Sequence, residues 1–539
     1  MIKNYKNILV YIGILAGIYF LYIHNLGSYE LMDVDETRYV DMSKTMFENK
    51  DFLTLYLNGD FFFEKPPLYF WLLNISFLIF GKISEFTARI PCVLSGIIAG
   101  LGVFFTSFKI TNNKKFSFIA SSILLTSMEF LVLSKIAILD IVLASCTTLS
   151  ILFGIVTFYV ADKNKKYFWW LFYLFSGLAV MAKGIPGFVL PFASMFFIGL
   201  YTKKFKEYFK PQYFIVGLLI FLATLVPWHL AMFKIHNPLF YEEYIVKHHI
   251  MRFLGGEIIH RDEPFWFYIP VFLVGFVPFS FGFIALLIEK LKNIKYRPFN
   301  TLSLFEGYIA LCVICALTVF LFFSSSKTKL VTYIAPIFPF VSLIIAKWWY
   351  EYIENNEHKK YVEISSIIFN VFLILGGIIA PFVFTCLENP ANELLLYASY
   401  PASIILIAFA TAGLVFIKKQ KKSMLLGSYV VMMIFLSAFC FHKFLTADYG
   451  FGEYDLINYA RYAKENDLNI FTYETKQKYS LLYYSDKHAY FNIKLDKVDD
   501  VLNNPKNILI VRNDDLDELY EYEYNVLAQG EKFSMLSKK

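Results

Sequence analysis

The segment Asp33-Val34-Asp35-Glu36-Thr37-Arg38-Tyr39 directly follows the first apolar run of the chain. Three carboxylates crowded at a membrane edge repel one another and are poorly solvated. Such a cluster suits the binding of a metal ion, a cation or a proton. The alternative is a helix cap, with Asp33 or Asp35 opening a helix over 36–48 and acids favoured at its positive end. A cap needs one acid, not three. Asp35 and Glu36 are therefore candidates for the chemistry, with Arg38 and Tyr39 as candidate substrate contacts.

Four further segments carry suitable residue types. In Phe63-Glu64-Lys65-Pro66-Pro67-Leu68 the double proline fixes the entry into a following apolar helix and holds Glu64 and Lys65 at the membrane surface. A fixed Lys there suits a phosphate headgroup, although a snorkelling interfacial anchor uses the same residues. Asp140 opens a later apolar run, as a second carboxylate or as a helix cap. His249 and Arg252 share a helix face at i,i+3, and His260 follows; Arg suits bidentate phosphate contact. No HExxH-type spacing supports a metal there. In Ser326-Lys327-Thr328-Lys329-Leu330-Val331-Thr332-Tyr333, Lys329 and Tyr333 suit headgroup contacts, against the plain reading of a charged loop with an interfacial tyrosine. Together these segments put acids and phosphate-type ligands on one membrane face, the layout of an enzyme acting on a lipid phosphate.

The elements that must position them are membrane helices. Of the 539 residues, 57% are apolar and 17% charged, with 60 Phe, 38 Tyr and a mean hydropathy of +0.52. That excludes a soluble, disordered, collagen-like or coiled-coil protein. The net charge of +6 does not signal nucleic acid, because the Lys and Arg residues sit in short loops between apolar runs. The six cysteines lie in or beside apolar segments, so Cys312 and Cys315 read as buried thiols, not a redox pair.

Thirteen runs near span length occur, at about 8–27, 87–108, 116–134, 139–160, 167–183, 185–201, 212–232, 265–288, 304–324, 331–349, 362–386, 400–417 and 424–443. The first lacks a cleavage site and reads as an anchor. Alternate loops carry the basic residues, which marks them cytoplasmic and turns 28–86, 233–264, 325–330 and 387–399 outward. Within 28–86, the apolar piece Leu68–Phe80 is too short to span and reads as an interfacial helix. From about 447 the composition changes. Helical pieces at 456–465 and 476–484 alternate with strand-like pieces at 469–473, 489–493 and 507–511. The expected organisation is a polytopic α-helical domain over 1–446 and a small α/β domain on the outer face over 447–539.

The order of these motifs resembles the aminoarabinose transferase family of lipid A, GT-C membrane glycosyltransferases related to the protein O-mannosyltransferases. The resemblance rests on Asp35-Glu36-Thr37-Arg38-Tyr39, Glu64-Lys65-Pro66-Pro67, Asp140, His249-x-x-Arg252-Phe253 with Pro264-Phe265-Trp266, and Ser326-Lys327-x-Lys329-Leu330-x-x-Tyr333-x-x-Pro336. It implies transfer, with inversion, from an undecaprenyl-phosphate-linked sugar to lipid A or another outer-face acceptor of the bacterial inner membrane. Asp35 is then the principal catalytic carboxylate, with Asp140 in support. Lys65 and Arg252 bind the carrier phosphate with Tyr333 nearby, and Glu64 with His249 forms a pair for a divalent metal ion such as zinc. The chain departs from the family at Val331, where proline is frequent. A protein hydroxyl or another glycan is the alternative acceptor. A secondary transporter would instead carry its acids at midplane in broken helices, and a sheet-tailed scaffold would not need the acidic loop.

Overall fold

The computed structural model describes residues 2–251, 263–292, 297–386, 391–449 and 453–539. It is a helical bundle carrying a small C-terminal sheet. The first ten helices are α1 (Ile2–Ile18, extended by a π-helical turn Tyr19–Ile23), α2 (Asp35–Asn49), α3 (Leu68–Phe80), α4 (Glu85–Thr111), α5 (Lys114–Leu125), α6 (Met128–Lys135), α7 (Asp140–Val156), α8 (Asp162–Lys183), α9 (Ile185–Thr202) and α10 (Pro211–His236).

Each of the thirteen apolar runs is helical in whole or part, but the number of full spans is lower. Among the described residues, eight helices are long and apolar enough to cross a membrane, or nine if α5 and α6, bent by 63°, count as one. The remaining runs give helices that are short (Ile8–Ile23, Asp140–Val156) or broken, as at Pro278 between Tyr268–Gly275 and Ser280–Leu291. Helix α8 has a charged first turn with Asp162, Lys163 and Lys165. Hydropathy reads composition and is blind to such breaks.

Helix α3 begins behind Pro67 and ends at Gly81, whose φ of +66° is the left-handed conformation that closes a helix without a Cβ penalty. Thirteen residues are too few to span. Its buried face carries Tyr69, Phe70, Leu73 and Phe77, while Leu78 and Ile79 are exposed. This is the pattern of a helix lying along an interface.

Helix α2 is tied to the bundle by charge. Glu36 and Arg89 are fully buried and paired in a fork, Nε to Oε1 at 2.9 Å and Nη2 to Oε2 at 2.9 Å. Further along α2, Asp41 faces the interior. Burial pushes its carboxyl up to about 7, with Lys44 opposing the shift.

The C-terminal sheet has the order β4-β3-β5-β7-β6, built from β3 (Asn469–Tyr473), β4 (Ala489–Ile493), β5 (Asn507–Arg512), β6 (Tyr524–Gln529) and β7 (Phe533–Lys538). β3 pairs in parallel with β4 and β5, and β7 pairs antiparallel with β5 and β6. Strands β6 and β7 did not stand out in the sequence. A hairpin in the first loop, β1 (Tyr56–Leu57) and β2 (Asp60–Phe61), turns at Asn58-Gly59, both at positive φ as a tight hairpin turn requires. Asn58 reaches the sheet by donating to the Ala489 carbonyl at 2.8 Å and accepting from its N–H at 3.0 Å.

Two outcomes follow. Glu36→Ala leaves a buried guanidinium unpaired and should cost about 3–5 kcal/mol, read as loss of folded protein in a detergent thermal-shift assay. Asp41 has a native-state pKa above its unfolded value near 4, so its ionisation costs no stability below about pH 4 and the full amount above about pH 7. Asp41→Asn should therefore raise the melting temperature at about pH 8, and the gain should vanish toward about pH 4.

Candidate active site

The three clustered acids Asp33, Asp35 and Glu36 have three different surroundings. Asp33 accepts from the Thr37 hydroxyl and from the Ser480 N–H at 2.9 Å, and so serves as a tie. Glu36, expected among the catalytic groups, is instead structural. Besides Arg89, its carboxylate accepts the Ala137 N–H at 2.5 Å and the Met32 N–H at 2.8 Å, which leaves it closed off from a substrate. Asp35 has half its side chain exposed and no backbone donor occupying its oxygens among the described hydrogen bonds. It does not cap α2: the cap position is Val34 and no side chain caps that end. Its Oδ1 accepts from Arg38 Nη2 at 2.6 Å.

Arg38 sits in a cage of rings. Its guanidinium carbon lies 5.0 Å from the Tyr39 ring centre, 6.0 Å from Phe62 and 5.9 Å from Tyr479. It donates to the Tyr39 hydroxyl at 3.2 Å, while its buried Nε has no hydrogen-bond partner among the described residues. Burial pushes the Tyr39 hydroxyl far up; Asp35 and Asp140 add to the shift and Arg38 opposes it. Tyr39 therefore stays protonated and lies within the field of both carboxylates.

Lys65 is mostly buried and stands 3.8 Å from Glu64. The Glu64 charge also acts on Arg38. Glu64 is thus flanked by two cations, Lys65 and Arg38. The side chain of His249, and Arg252 and His260 entirely, lie outside the described residues. Two other histidines are satisfied packing residues. His229 bonds the Leu225 carbonyl through Nδ1 at 2.8 Å, and His236 bonds the Thr54 hydroxyl through Nε2 at 2.9 Å between Phe61 and Phe63.

Asp140 is the first residue of α7, and it too caps nothing, the cap position being Leu139. Its Oδ1 accepts from Lys183 Nζ, the last residue of α8. The same ammonium lies 4.0 Å from the Tyr333 ring centre. Lys183 is the residue that sequence reasoning missed. The signal was present: a lysine ending an apolar run just before Gly184-Ile185-Pro186, where Gly184 (φ +73°) turns the chain into α9. Lys329, expected to touch substrate, is buried and donates to the carbonyls of Glu263 (2.8 Å) and Ser326 (2.6 Å). It pins the loop that leads to Tyr333, because a buried ammonium must satisfy its hydrogens locally.

The site is thus an exposed carboxylate held by arginine, two further cations and several tyrosines at one end of an apolar bundle. A family model described as dolichyl-phosphate-mannose-protein mannosyltransferase matches residues 7–241. An uncharacterised protein of Aquifex aeolicus is 30% identical over 363 residues, 67% of this chain and 68% of its own length. The undecaprenyl phosphate-alpha-4-amino-4-deoxy-L-arabinose arabinosyl transferase 2 of Proteus mirabilis is 27% identical over 409 residues, 75% of this chain and 70% of that protein. The chain belongs to the aminoarabinose transferase family of GT-C membrane glycosyltransferases. In fold, this GT-C chain superposes on the crystal structure of ArnT from Cupriavidus metallidurans bound to undecaprenyl phosphate with a TM-score of 0.80. The match covers 99% of this chain and 98% of that one at 17% identity.

In this transferase, Lys183 and Asp140 are both little exposed and directly paired. Lys183→Met and Asp140→Asn should each lower transfer, and the double variant should fall about as far as the worse single one, as for residues acting as a unit. Steady-state rates of donor consumption check this; additive losses would assign the two residues separate tasks.

Proposed function

We propose that this glycosyltransferase moves a sugar from an undecaprenyl-phosphate carrier to lipid A at the outer face of the bacterial inner membrane, in one displacement. An acceptor oxygen attacks the anomeric carbon, and the bond from that carbon to the carrier phosphate breaks. Undecaprenyl phosphate departs with the electron pair, and attack from the opposite side inverts the centre. Phosphate needs little acid assistance to leave, so the task of the protein is charge stabilisation at the donor and orientation of the acceptor.

Lys65, Lys183 and Arg252 are assigned to the carrier phosphate, with the Tyr333 ring against Lys183. Asp35 receives or orients the acceptor, its direction set by Arg38. Asp140 fixes Lys183. The observation that carries this reading is the sorting of the clustered acids: Asp35, half exposed and held by Arg38 while Glu36 is buried and Asp33 is tied to Ser480, lies at the same bundle end as cations suited to phosphate. The relatives that are undecaprenyl phosphate-aminoarabinose transferases support this donor and its sugar, and the structural neighbour was solved with undecaprenyl phosphate bound. The basic loops, alternating with the loops that carry the site, support an outward-facing active site. The match to the mannosyltransferase model favours one second reading, the same displacement with a protein hydroxyl as acceptor.

Mass spectra of lipid A from cells with and without the gene should differ by one added sugar residue. Asp35→Asn should lower transfer about 10²–10⁴-fold at normal membrane insertion. Asn caps a helix about as well as Asp, so near-normal activity would show that the charge of Asp35 is not needed.

A further inference from the structure

The C-terminal sheet domain reaches the catalytic loop through the short helix Ser480–Ser485 and the residue before it. The Ser480 N–H donates to Asp33 Oδ1 at 2.9 Å, and its hydroxyl donates to Oδ2. The Tyr484 hydroxyl accepts the Leu31 N–H at 2.9 Å and donates to Glu85 at 3.1 Å. The Tyr479 ring closes one side of the Arg38 cage. These contacts join residues 399 to 453 positions apart in the chain, and the contact to Asp33 lies two residues from Asp35. At the far end of α2, Lys44 pairs with Asp486 of the same domain. Helix α2 is therefore gripped at both ends.

We propose that the C-terminal domain is a positioning part of the active site, with Tyr479 and Ser480 setting the direction of the Asp35 carboxylate through Arg38 and Asp33. Asp35 is half exposed, and its recorded partner is the guanidinium of Arg38. That guanidinium is directed by Asp35, the Tyr39 hydroxyl and three rings, because its Nε bonds nothing among the described residues. Of the three rings, Tyr39 belongs to α2 and Phe62 to the same first loop; Tyr479 alone comes from outside. Without it the guanidinium gains freedom to swing, and a carboxylate displaced by about 1 Å forfeits on the order of 10²-fold in rate. Neither Tyr479 nor Ser480 is required to touch donor or acceptor, so both are positioning residues and not catalytic ones.

This inference rests on the proposed role of Asp35, and the experiment separates the two. The full-length protein in lipid nanodiscs is compared with Tyr479→Leu, Ser480→Ala and the conservative Tyr479→Phe. The expected result is a kcat lowered about 10–100-fold for Tyr479→Leu and several-fold for Ser480→Ala, with the donor KM within about threefold of wild type. Tyr479→Phe keeps the ring and should recover most of the loss. Amide exchange across 33–39 should accelerate in Tyr479→Leu and Ser480→Ala while exchange in β3 and β5 stays slow. Unchanged kcat in both variants, or a loss in Tyr479→Phe equal to that in Tyr479→Leu, overturns the proposal. If the wild-type protein adds no sugar to lipid A, the functional reading has failed and the amide exchange alone decides: faster exchange across 33–39 upholds the positioning, and unchanged exchange overturns it.

Discussion

The buried pair of Glu36 and Arg89 holds the first loop in shape. Arg89 lies on α4 with no exposed surface, and every group around it is enlisted. Nε and Nη2 meet Glu36, Nη1 meets the carbonyls of Leu26 and Tyr29, and Nη2 also meets the carbonyl of Glu30. Its guanidinium carbon stacks 3.7 Å from the Tyr29 ring centre. Charges in a low-dielectric interior are tolerated only when geometry and hydrogen bonding are this complete. The consequence is spatial. Glu36 also accepts from Ala137, so the start of α2, the beginning of the first loop, α4 and the approach to α7 meet at one point. Asp35 precedes Glu36 by one residue and Asp140 follows Ala137 by three, so one ion pair locates both carboxylates of the site.

The same pair explains how three acids coexist in four residues. Their repulsion is removed by giving each a different partner: hydroxyl and amide donors for Asp33, the fully buried guanidinium of Arg89 for Glu36, the mostly buried guanidinium of Arg38 for the half-exposed Asp35. Burial then sorts them by task. A carboxylate whose oxygens are all occupied can hold structure but cannot take a proton or orient a substrate. The one left at the surface retains that capacity.

A similar division runs through the basic residues. Arg89 and Lys329 are closed off by carbonyls and a carboxylate and serve the fold. Lys65 and Lys183 each stand beside an acid at the site end, where an ammonium can rearrange toward an arriving phosphate. Pairing with acids keeps these cations from being orphaned in an apolar setting while no lipid is bound.

The sequence by itself determined the class of the molecule: the apolar runs, the alternating basic loops, the interfacial helix between Pro67 and Gly81, and the acidic loop behind the first run. Those features are local or periodic, and each follows from the cost of exposing backbone or charge to lipid. The motif order also carried the resemblance to a transferase family. Only the tertiary structure decided which acid is open, that Lys183 meets Asp140 from 43 positions away, that Lys329 is a strut, that Tyr479 closes over Arg38, and that Ser480 ties Asp33. It also decided how many runs are continuous spans, since a break such as that between α5 and α6 leaves the hydropathy unchanged. The physical reason is common to all of these. Residue type fixes what a side chain can bond, but its partner is chosen by packing between segments far apart in the chain, and a charge takes its role from how much water that packing leaves it.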